Sequence, residues 1–336
     1  MVKDWHELSV LIAGCGSIGK RHARVLHGLG VTDLRACDPT AEQGQRLAQE
    51  TSARMYSSYE AALADQPDTV FICTPPQLHV AMANQALAAG AHVFCEKPLS
   101  YSSAGLDELA AHARRAGRQV AVGYCYRHHD GLRKAKTLLE SGRLGRLVSV
   151  RCLLGEYFPA ARPDYQSMYM SKYGGAYELI HGVDLAVWFA ASPVQKVRCI
   201  AGTCSDIGIE APDLAEITVS FENRCLASIH LDLFQVARRF QTELICTAGI
   251  ILVDFSRWDQ CRLSVYAQGA WSEEEIATDR DDMFRAEDGA FLAAAVSGAP
   301  VECGIDQARL AGEIVERAQC DAQAANGAPP PNLEPS

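Results

Sequence analysis

The chain has 336 residues, more than one ordinary hydrophobic core holds, and this length predicts two domains. With 48% hydrophobic and 21% charged residues, the composition is typical of soluble globular proteins. The formal net charge of -10 argues against nucleic acid or an anionic membrane as the main partner.

The thirteen cysteines could indicate disulfides or a metal site, but their spacing argues against both. No pair is spaced as C-x-x-C, and most cysteines interrupt apolar runs such as VFICTP and VFCEK. We therefore expect small buried side chains in a reducing compartment, no metal, and a cytoplasmic protein. The N-terminus lacks the pattern of a signal peptide, and no run of about 18 apolar residues predicts a membrane span.

The first 120 residues alternate short apolar runs with helical stretches. The apolar runs are 8–13, 34–37, 69–73, 93–95 and 119–122, and the helical stretches are 18–29, 41–50, 59–64, 79–89 and 102–116. Apolar runs that are continuous rather than alternating predict a parallel sheet with helices on both faces. We assign residues 1–123 to this α/β domain.

After about residue 123 the pattern changes. Helices are predicted at 132–140, 176–190, 282–297 and 306–320, and strands at 148–154, 197–203, 215–221, 225–233, 240–246, 250–255 and 261–265. The segment EYFPAARPDYQSMYMSKYGG is predicted to be a loop. Grouped strands predict a second, α+β domain with a broad open sheet, which we place at 124–322. The low-complexity end, 323–336, is predicted to be disordered.

A dinucleotide-binding pattern follows the first apolar run. Gly14, Gly16 and Gly19 form G-x-G-x-x-G within GCGSIG, and a helix begins there. Gly14 permits a tight turn, Gly16 lets the backbone approach a pyrophosphate, and Gly19 lets helix and strand pack closely. Asp38 ends the second apolar run, so the context is the one that this pattern requires.

The cofactor predicted from this pattern is NAD. Ser17 and Ile18 begin the helix, whose free N–H groups and positive dipole end suit phosphates. Asp38 would accept hydrogen bonds from the adenosine ribose hydroxyls and repel a 2′-phosphate, and the next two residues supply no cation. Arg35 lies close before Asp38, which keeps NADP as the alternative.

Two further polar clusters follow neighbouring predicted strands. Thr74 and Pro75 come after the third strand, with His79 at the start of the next helix, and Glu96 and Lys97 end the strand after that. Because the carboxyl ends of parallel strands form the ligand crevice, we expect these residues beside the dinucleotide.

A possible acid/base group lies in the second domain. Glu178, His181 and Asp184 recur at i, i+3 and i+6 on the predicted helix 176–190, so each neighbours the next along one side. A histidine flanked by carboxylates suits a general base that takes a hydroxyl proton. A histidine in an amphipathic helix also serves structure alone, and the pattern by itself does not distinguish the two.

Together these motifs resemble those of the Gfo/Idh/MocA oxidoreductases. The matching segments are GCGSIGKRH, CTPPQLH, FCEKPLS, GYCYRHHDGLRKAKTLLESGRLG and YGGAYELIHGVDLAVWF, in the expected order over the first 190 residues. The resemblance implies an N-terminal Rossmann fold and a C-terminal α+β domain with a large open mixed or antiparallel sheet. It also implies nicotinamide and substrate between the two domains, and a homodimer or homotetramer.

The resemblance further implies that Lys97 lies at the reacting centre, held there or beside the cofactor by Glu96. An ammonium at that place would polarise a substrate hydroxyl and stabilise developing oxyanion charge, or relay a proton. His181 matches the catalytic histidine of the family and Asp184 the acid one turn later. Many relatives have aspartate one turn before this histidine, where this chain has Glu178, so a direct substrate contact there is in question.

The candidate substrate residues are more weakly marked. Arg127 matches a commonly basic position of the family, next to Tyr126, and both are expected to contact substrate or cofactor. Tyr165, Arg162 and Lys172 lie in the predicted loop, where phenols suit polyols and cations suit an anionic group. Packing of this loop onto the sheet is an equal alternative. Three residues lie at a predicted bend between strands and could serve either an interface or the site: Gln235, Arg238 and Arg239.

The leading hypothesis is an NAD-dependent oxidoreductase that transfers hydride between a hydroxyl of a sugar, cyclic polyol or sugar derivative and the nicotinamide. One alternative is a glycosidase that uses transient oxidation by bound NAD, and another is a non-catalytic NAD-sensing regulator. The presence of both Lys97 and His181 argues against the regulator. The sequence does not separate the first two, because both need hydride abstraction and a base.

Overall fold

The computed structural model describes residues 4–167 and 169–325, except for the side chains of Tyr169 and Tyr173. Up to residue 123 the elements are β1 (Ser9–Ala13), α1 (Ser17–Gly28), β2 (Asp33–Cys37), α2 (Ala41–Thr51), β3 (Arg54–Tyr56), α3 (Tyr59–Ala64), β4 (Thr69–Ile72), α4 (His79–Ala88), β5 (His92–Glu96), α5 (Leu106–Ala116) and β6 (Val120–Gly123).

The rest of the chain contains α6 (Asp130–Glu140), β7 (Leu147–Tyr157), α7 (Phe158–Ala161), α8 (Tyr169–Tyr173), α9 (His181–Ala190), β8 (Val194–Gly202), β9 (Leu214–Phe221), β10 (Leu226–Asp232), β11 (Phe234–Cys246), β12 (Gly249–Asp254), β13 (Gln260–Ala267), β14 (Ala270–Ala277), α10 (Asp282–Ser297) and α11 (Ile305–Ala325). Residues 323–325 of the predicted disordered tail therefore belong to α11, and 326–336 lie outside the described residues.

The described residues form two compact units. The first contains the residues up to Cys125 together with Asp281–Gly312, and the second contains Tyr126–Arg280 and the chain from Glu313. The sequence predicts all of 124–322 in the second domain, so the placement of 281–312 differs from that expectation. The reason is apolar packing, since Phe291 of α10 meets the rings of Phe71 and Phe94 edge-on at 5.4 and 5.6 Å.

The first unit is a Rossmann fold, as the sequence predicts. Its sheet has the order β3-β2-β1-β4-β5-β6, and every strand pair is parallel. Every residue of β1 and β4 is buried, and so are Val93, Phe94 and Cys95 of β5, which explains the apolar runs in these strands. The strand order reverses between β1 and β4, which is where such sheets bind ligands at their carboxyl edge.

The second unit is built on a mixed eight-stranded sheet in the order β14-β13-β12-β11-β7-β10-β9-β8. Only β7 and β10 pair in parallel, and the other neighbours are antiparallel. This confirms the predicted α+β class with a large mixed sheet. Alternating burial along β9 and β10 leaves one face of this sheet more exposed than the other.

The region predicted to be a loop contains two short helices, α7 and α8. The predicted helix 176–190 is divided, because a 3-10 segment, Gly175–Leu179, precedes α9. No helix within 4–167 and 169–325 is both long enough and apolar enough to cross a membrane.

Candidate active site

The glycine-rich loop lies at the carboxyl end of β1. Gly14 has φ +94°, and a Cβ at this position would approach the carbonyl oxygen of Cys73 to 2.7 Å. A Cβ at Gly19 would lie 1.9 Å from the carbonyl oxygen of Gly14, so both positions require glycine. At Gly16 a Cβ would meet nothing within 4 Å, which leaves space beside this part of the backbone.

Helix α1 begins directly after this loop. Gly16 is its N-cap and has no side chain to accept a hydrogen bond, and no side chain caps the helix. The N–H groups of Ser17 and Ile18 have no acceptor within the helix, as in the first turn of any α-helix. The loop and helix start therefore form an open, electropositive backbone surface that suits a phosphate group.

Asp38 directly follows β2 and is anchored to the glycine-rich loop. Its Oδ2 accepts the N–H of Cys15 at 2.6 Å, and its Oδ1 accepts the N–H of Thr40 at 2.7 Å. The side chain is partly exposed. Each carboxylate oxygen has lone-pair capacity for a second donor, so Asp38 remains competent to bind hydroxyl groups.

Arg35, the cation that kept NADP open, is engaged elsewhere. Its guanidinium donates to both carboxylate oxygens of Asp33, at 3.1 and 2.6 Å, and to the carbonyl oxygen of Asp65 at 2.8 Å. These bonds hold the side chain, only 10% exposed, beside two other acidic residues. These contacts hold the Arg35 guanidinium at Asp33 and Asp65 and would have to break before it could bind a phosphate beside Asp38.

His79 joins the loops that follow β4 and β5. The ring is fully buried, with Nδ1 2.8 Å from the carbonyl oxygen of Pro98 and Nε2 2.8 Å from that of Thr74. Pro75 and Thr74 remain at least partly exposed at the end of β4. His79 thus ties together the backbone at the two predicted cofactor-binding clusters.

Glu96 holds the backbone of Lys97. Its Oε2 accepts the Lys97 N–H at 3.0 Å, and its Oε1 lies 3.1 Å from Nε2 of His22. The Lys97–Pro98 peptide bond is cis, and the Lys97 side chain is partly exposed at the carboxyl edge of the sheet. The pair at the end of β5 is therefore an anchored carboxylate followed by an ammonium.

In the second unit, His181 is the first residue of α9 and is partly exposed. The ring of Tyr126 stands edge-on to its imidazole, with centroids 4.7 Å apart and planes at 84°. Tyr126 itself is buried. The structure thus places a predicted substrate residue directly against the predicted base.

Asp184 and Arg127, predicted as a catalytic acid and a substrate residue, form a buried ion pair with each other. Arg127 Nε donates to Oδ2 at 2.9 Å and Nη2 donates to Oδ1 at 2.6 Å, and both side chains are at most 3% exposed. This bidentate pair connects the start of α9 to residues just after β6.

Glu178 lies in the 3-10 segment, outside the α9 helix that carries His181 and Asp184. It is buried, and its carboxylate covers Gly174, where a Cβ would lie 2.3 Å from Oε1. The three residues therefore do not share one continuous α-helix, because the chain changes from 3-10 to α geometry between them.

The remaining predicted substrate residues lie in the segment that contains α7 and α8. Tyr165 and Arg162 share a turn in which the Tyr165 N–H donates to the Arg162 carbonyl at 2.9 Å, and the Tyr165 ring packs on Phe158 at 6.4 Å. Lys172 is exposed on α8. Their contact with substrate stays a prediction.

Two family models match the chain. Residues 8–124 match the oxidoreductase family with an NAD-binding Rossmann fold, and residues 132–252 match the GFO/IDH/MocA C-terminal domain. An inositol 2-dehydrogenase from Streptomyces avermitilis is 32% identical over 282 residues, which are 81% of this chain and 78% of that protein. The chain belongs to the Gfo/Idh/MocA oxidoreductase family.

Two other similar proteins match different shares of the chain. An uncharacterised oxidoreductase of Bacillus subtilis, YrbE, is 29% identical over 228 residues, and the match spans 65% of either protein. The solved structure of GenD2 from gentamicin A biosynthesis, in complex with NAD, superposes with a TM-score of 0.83 at 25% identity. That superposition covers 97% of this chain and 96% of GenD2.

This Gfo/Idh/MocA chain contains a buried charge network that we do not predict from its motifs. His22, on α1, lies between Glu96 and Asp288, with its Nδ1 2.9 Å from an Asp288 oxygen. Burial disfavours the imidazolium, but Asp288 and Glu96 outweigh it and raise the pKa of His22 to about 10. Burial also disfavours the charged form of Asp288, which raises the pKa of this carboxyl, while His22 lowers it. His22 is thus a buried cation between two carboxylates.

A sequence signal for His22 did exist. The residue lies within GCGSIGKRH, on the same buried face of α1 as Gly19, Ala23 and Leu26. A titratable side chain on the apolar face of a helix is expected to have a buried polar or charged partner. Asp288 is 266 residues away, however, so nothing local to the motif identifies that partner.

Eleven of the thirteen cysteines are buried as free thiols, while Cys204 and Cys320 are exposed. Within the described part of the chain, no three His, Cys, Asp or Glu side chains are grouped to hold a metal ion.

Proposed function

We propose that this protein is an NAD-dependent oxidoreductase that transfers hydride between the nicotinamide and a hydroxyl of a sugar, cyclic polyol or sugar derivative. The observation that carries the proposal is the anchored Asp38 carboxylate beside an open glycine-rich loop. The names of the relatives, which include inositol 2-dehydrogenases, support the substrate class.

The residues present fit a dinucleotide. The space beside Gly16 and the uncapped start of α1 suit a pyrophosphate, while Asp38 suits the ribose hydroxyls. The engagement of Arg35 by Asp33 favours NAD over NADP, because the cation that a 2′-phosphate needs is bound elsewhere. NAD, when bound, supplies the hydride acceptor.

The proton chemistry is assigned to two side chains. His181 takes the proton from the hydroxyl that is oxidised, and in the reverse direction returns it. Lys97 donates a hydrogen bond to the same oxygen and stabilises the negative charge that develops there. Glu96 restrains the backbone at Lys97, and the ion pair of Arg127 with Asp184 restrains the start of the helix that bears His181.

The direct test is NADH formation with a panel of inositols, sugars, nucleotide sugars and glycosides. We expect turnover with at least one polyol or sugar, and a loss of about 10²–10⁴-fold in kcat for His181→Gln and for Lys97→Met. Lys134→Met, which removes an exposed cation paired with Glu274, serves as the matched control. Retained turnover in either active-site variant would contradict the assigned roles.

The same panel separates the alternatives. Release of sugar from a glycoside with no net NADH would identify a glycosidase that oxidises its substrate transiently. Tight NAD binding with no conversion of any compound would indicate a regulatory protein instead.

Cofactor preference is tested at Asp38. Asp38→Ala is expected to weaken NAD binding and reduce the ratio of NAD to NADP affinity by about tenfold. The reason is that the ribose hydroxyls lose a hydrogen bond to a charged acceptor, which contributes about 1.5–3 kcal/mol. Glu42→Ala removes an exposed carboxylate from the first turn of α2 and is the charge-matched control. An unchanged ratio in Asp38→Ala would refute the cofactor assignment.

We also propose self-association through the open sheet. Ile200 on β8 and Leu226 on β10 are large apolar residues at 79% and 53% exposure, consistent with a face that pairs with another copy. Light scattering after size exclusion measures the state: a dimer or tetramer is expected, and a monomer at micromolar concentration would contradict this proposal.

A further inference from the structure

Arg238 makes both ring contacts and hydrogen bonds through its guanidinium in the second unit. It lies on β11 in the segment where pairing with β7 loses register, between Phe234 and Arg239. Its guanidinium carbon lies over two aromatic rings, with Cζ 3.7 Å from the centroid of Phe240 and 3.8 Å from that of Trp258. Contact with two rings restricts the orientation of the guanidinium.

The edges of the same guanidinium donate three hydrogen bonds. Nη1 donates to the carbonyl oxygens of Phe255 and Ser256 at 2.8 and 2.6 Å, and Nη2 donates to the phenol oxygen of Tyr126 at 3.0 Å. The two carbonyls lie on the chain just after β12, so Arg238 connects that backbone to Tyr126.

Tyr126 is the side chain that stands edge-on to His181. Its ring also packs on Phe255 at 5.3 Å and on Phe240 at 5.8 Å. The ring is therefore surrounded by aromatic side chains, with His181 on one side and the Arg238 guanidinium at its hydroxyl. A phenol buried in such surroundings needs a polar partner, and Arg238 provides one.

We propose that Arg238 is a positioning residue for His181 and acts through Tyr126, by holding the tyrosine ring in the orientation against which the imidazole packs. This inference rests on the proposed function for the role of His181 as base. Its physical reason is that a hydrogen bond at the hydroxyl constrains the ring directionally, which apolar contacts do not, and the guanidinium that donates it is itself held by two carbonyl oxygens.

Arginine is required for this arrangement because of its shape. A planar guanidinium stacks on two rings while its edge serves three acceptors, whereas the lysine ammonium is a compact point charge on a flexible stem. Arg238→Lys therefore keeps the charge but is not expected to restore the position of Tyr126.

The kinetic test uses Arg238→Met, Arg238→Lys, Tyr126→Phe and the double variant of Arg238→Met with Tyr126→Phe. Arg143→Met is the control, because the Arg143 side chain is exposed in the turn after α6 and its Nε donates to the Ser141 hydroxyl at 3.3 Å. We expect each single variant at 126 and 238 to lose about tenfold in kcat with less than threefold change in KM. The double variant should lose no more than Arg238→Met alone, since the two residues act in one chain.

A second readout does not depend on turnover. In a ¹H–¹³C spectrum of the histidine rings, with His181 assigned by its loss in His181→Gln, the His181 signal is expected to move in Arg238→Met because the ring current of Tyr126 changes. The His181 signal should stay in place in Arg143→Met. An unmoved His181 signal in folded Arg238→Met, unchanged kcat, or additive losses in the double variant would overturn the proposal.

The two proposals fail in different ways. If wild-type protein turns over no compound while the His181 signal still responds to Arg238→Met, the proposed function fails and the coupling stands. If the wild-type protein turns over a substrate but Arg238→Met changes neither the His181 signal nor kcat, the positioning role of Arg238 is wrong and the proposed function stands. Should Arg238→Met not fold, Tyr126→Phe removes only the phenol oxygen and decides the same question through kcat.

Discussion

Stability that depends on a buried imidazolium should decline at alkaline pH, and His22 offers a clear test of this. The perturbation is His22→Gln, which removes the charge between Asp288 and Glu96 but keeps a polar side chain. His27→Gln is the matched control, because His27 is exposed on the same helix. The quantity of interest is the difference in unfolding free energy between wild type and variant as pH changes.

The sign follows from the pKa of His22, which is raised from 6.5 to about 10 in the folded protein. A group with a raised folded-state pKa contributes its full stability below about pH 6.5 and loses it as pH rises through about 10. Within this window, each pH unit changes the contribution of one such proton to the unfolding free energy by about 1.4 kcal/mol. From pH 7 to 9.5 the contribution of His22 should therefore fall by about 3 kcal/mol.

The assay is urea unfolding of the three proteins at pH 7, 8, 9 and 9.5. Burial also raises the pKa of the Cys15 and Cys37 thiols to about 12, so unfolded thiolates destabilise the fold at high pH. That effect is common to all three proteins and cancels in the differences. A wild-type advantage over His22→Gln that stays constant from pH 7 to 9.5 would refute a charged His22, and the His27→Gln difference should stay near zero.

Two further predictions concern the glycine-rich loop and the buried ion pair. Gly14→Ala should destabilise the protein by about 2 kcal/mol or more, because φ is +94° and the new Cβ would contact backbone. Gly16→Ala should leave thermal unfolding nearly unchanged and weaken NAD binding, and the reverse pattern would contradict the loop geometry. Arg127→Met or Asp184→Leu alone should cost about 3–5 kcal/mol in urea unfolding, and the double variant clearly less than either; equal or additive losses would contradict a buried pair.

The Rossmann unit was largely predictable because its signals are local. Continuous apolar strands and the G-x-G-x-x-G turn identify β1, β2 and β4 from a few neighbouring residues each. β3 and β14 are not predicted, for a physical reason: β3 has three residues of which none is buried, and β14 reads AWSEEEIA with no buried position. Three residues are too few to show a period, and a strand with no buried position has no apolar pattern to detect.

The acid/base group shows where local reasoning fails. The spacing of Glu178, His181 and Asp184 is right for one helix face, but the chain enters α9 only at His181. Gly175, with φ +53°, lies so close to the backbone at Pro212 that a Cβ there would approach its carbonyl oxygen to 2.2 Å. That contact joins parts of the chain 37 positions apart and favours the 3-10 segment over a regular helix, so spacing alone could not predict it.

Both units anchor a proposed catalytic segment with a buried ionic contact in addition to apolar packing. In the first unit Asp288 and His22 hold Glu96, which binds the backbone of Lys97, and in the second Arg127 holds Asp184 in the first turn of α9. Replacing such a contact as a whole by apolar side chains of similar volume costs little, because desolvation of the charges offsets much of their attraction. A displaced partner, however, leaves an uncompensated charge in a low dielectric, which penalises misplacement far more steeply than apolar packing does. Buried charge therefore suits segments whose position matters more to the reaction than their stability does.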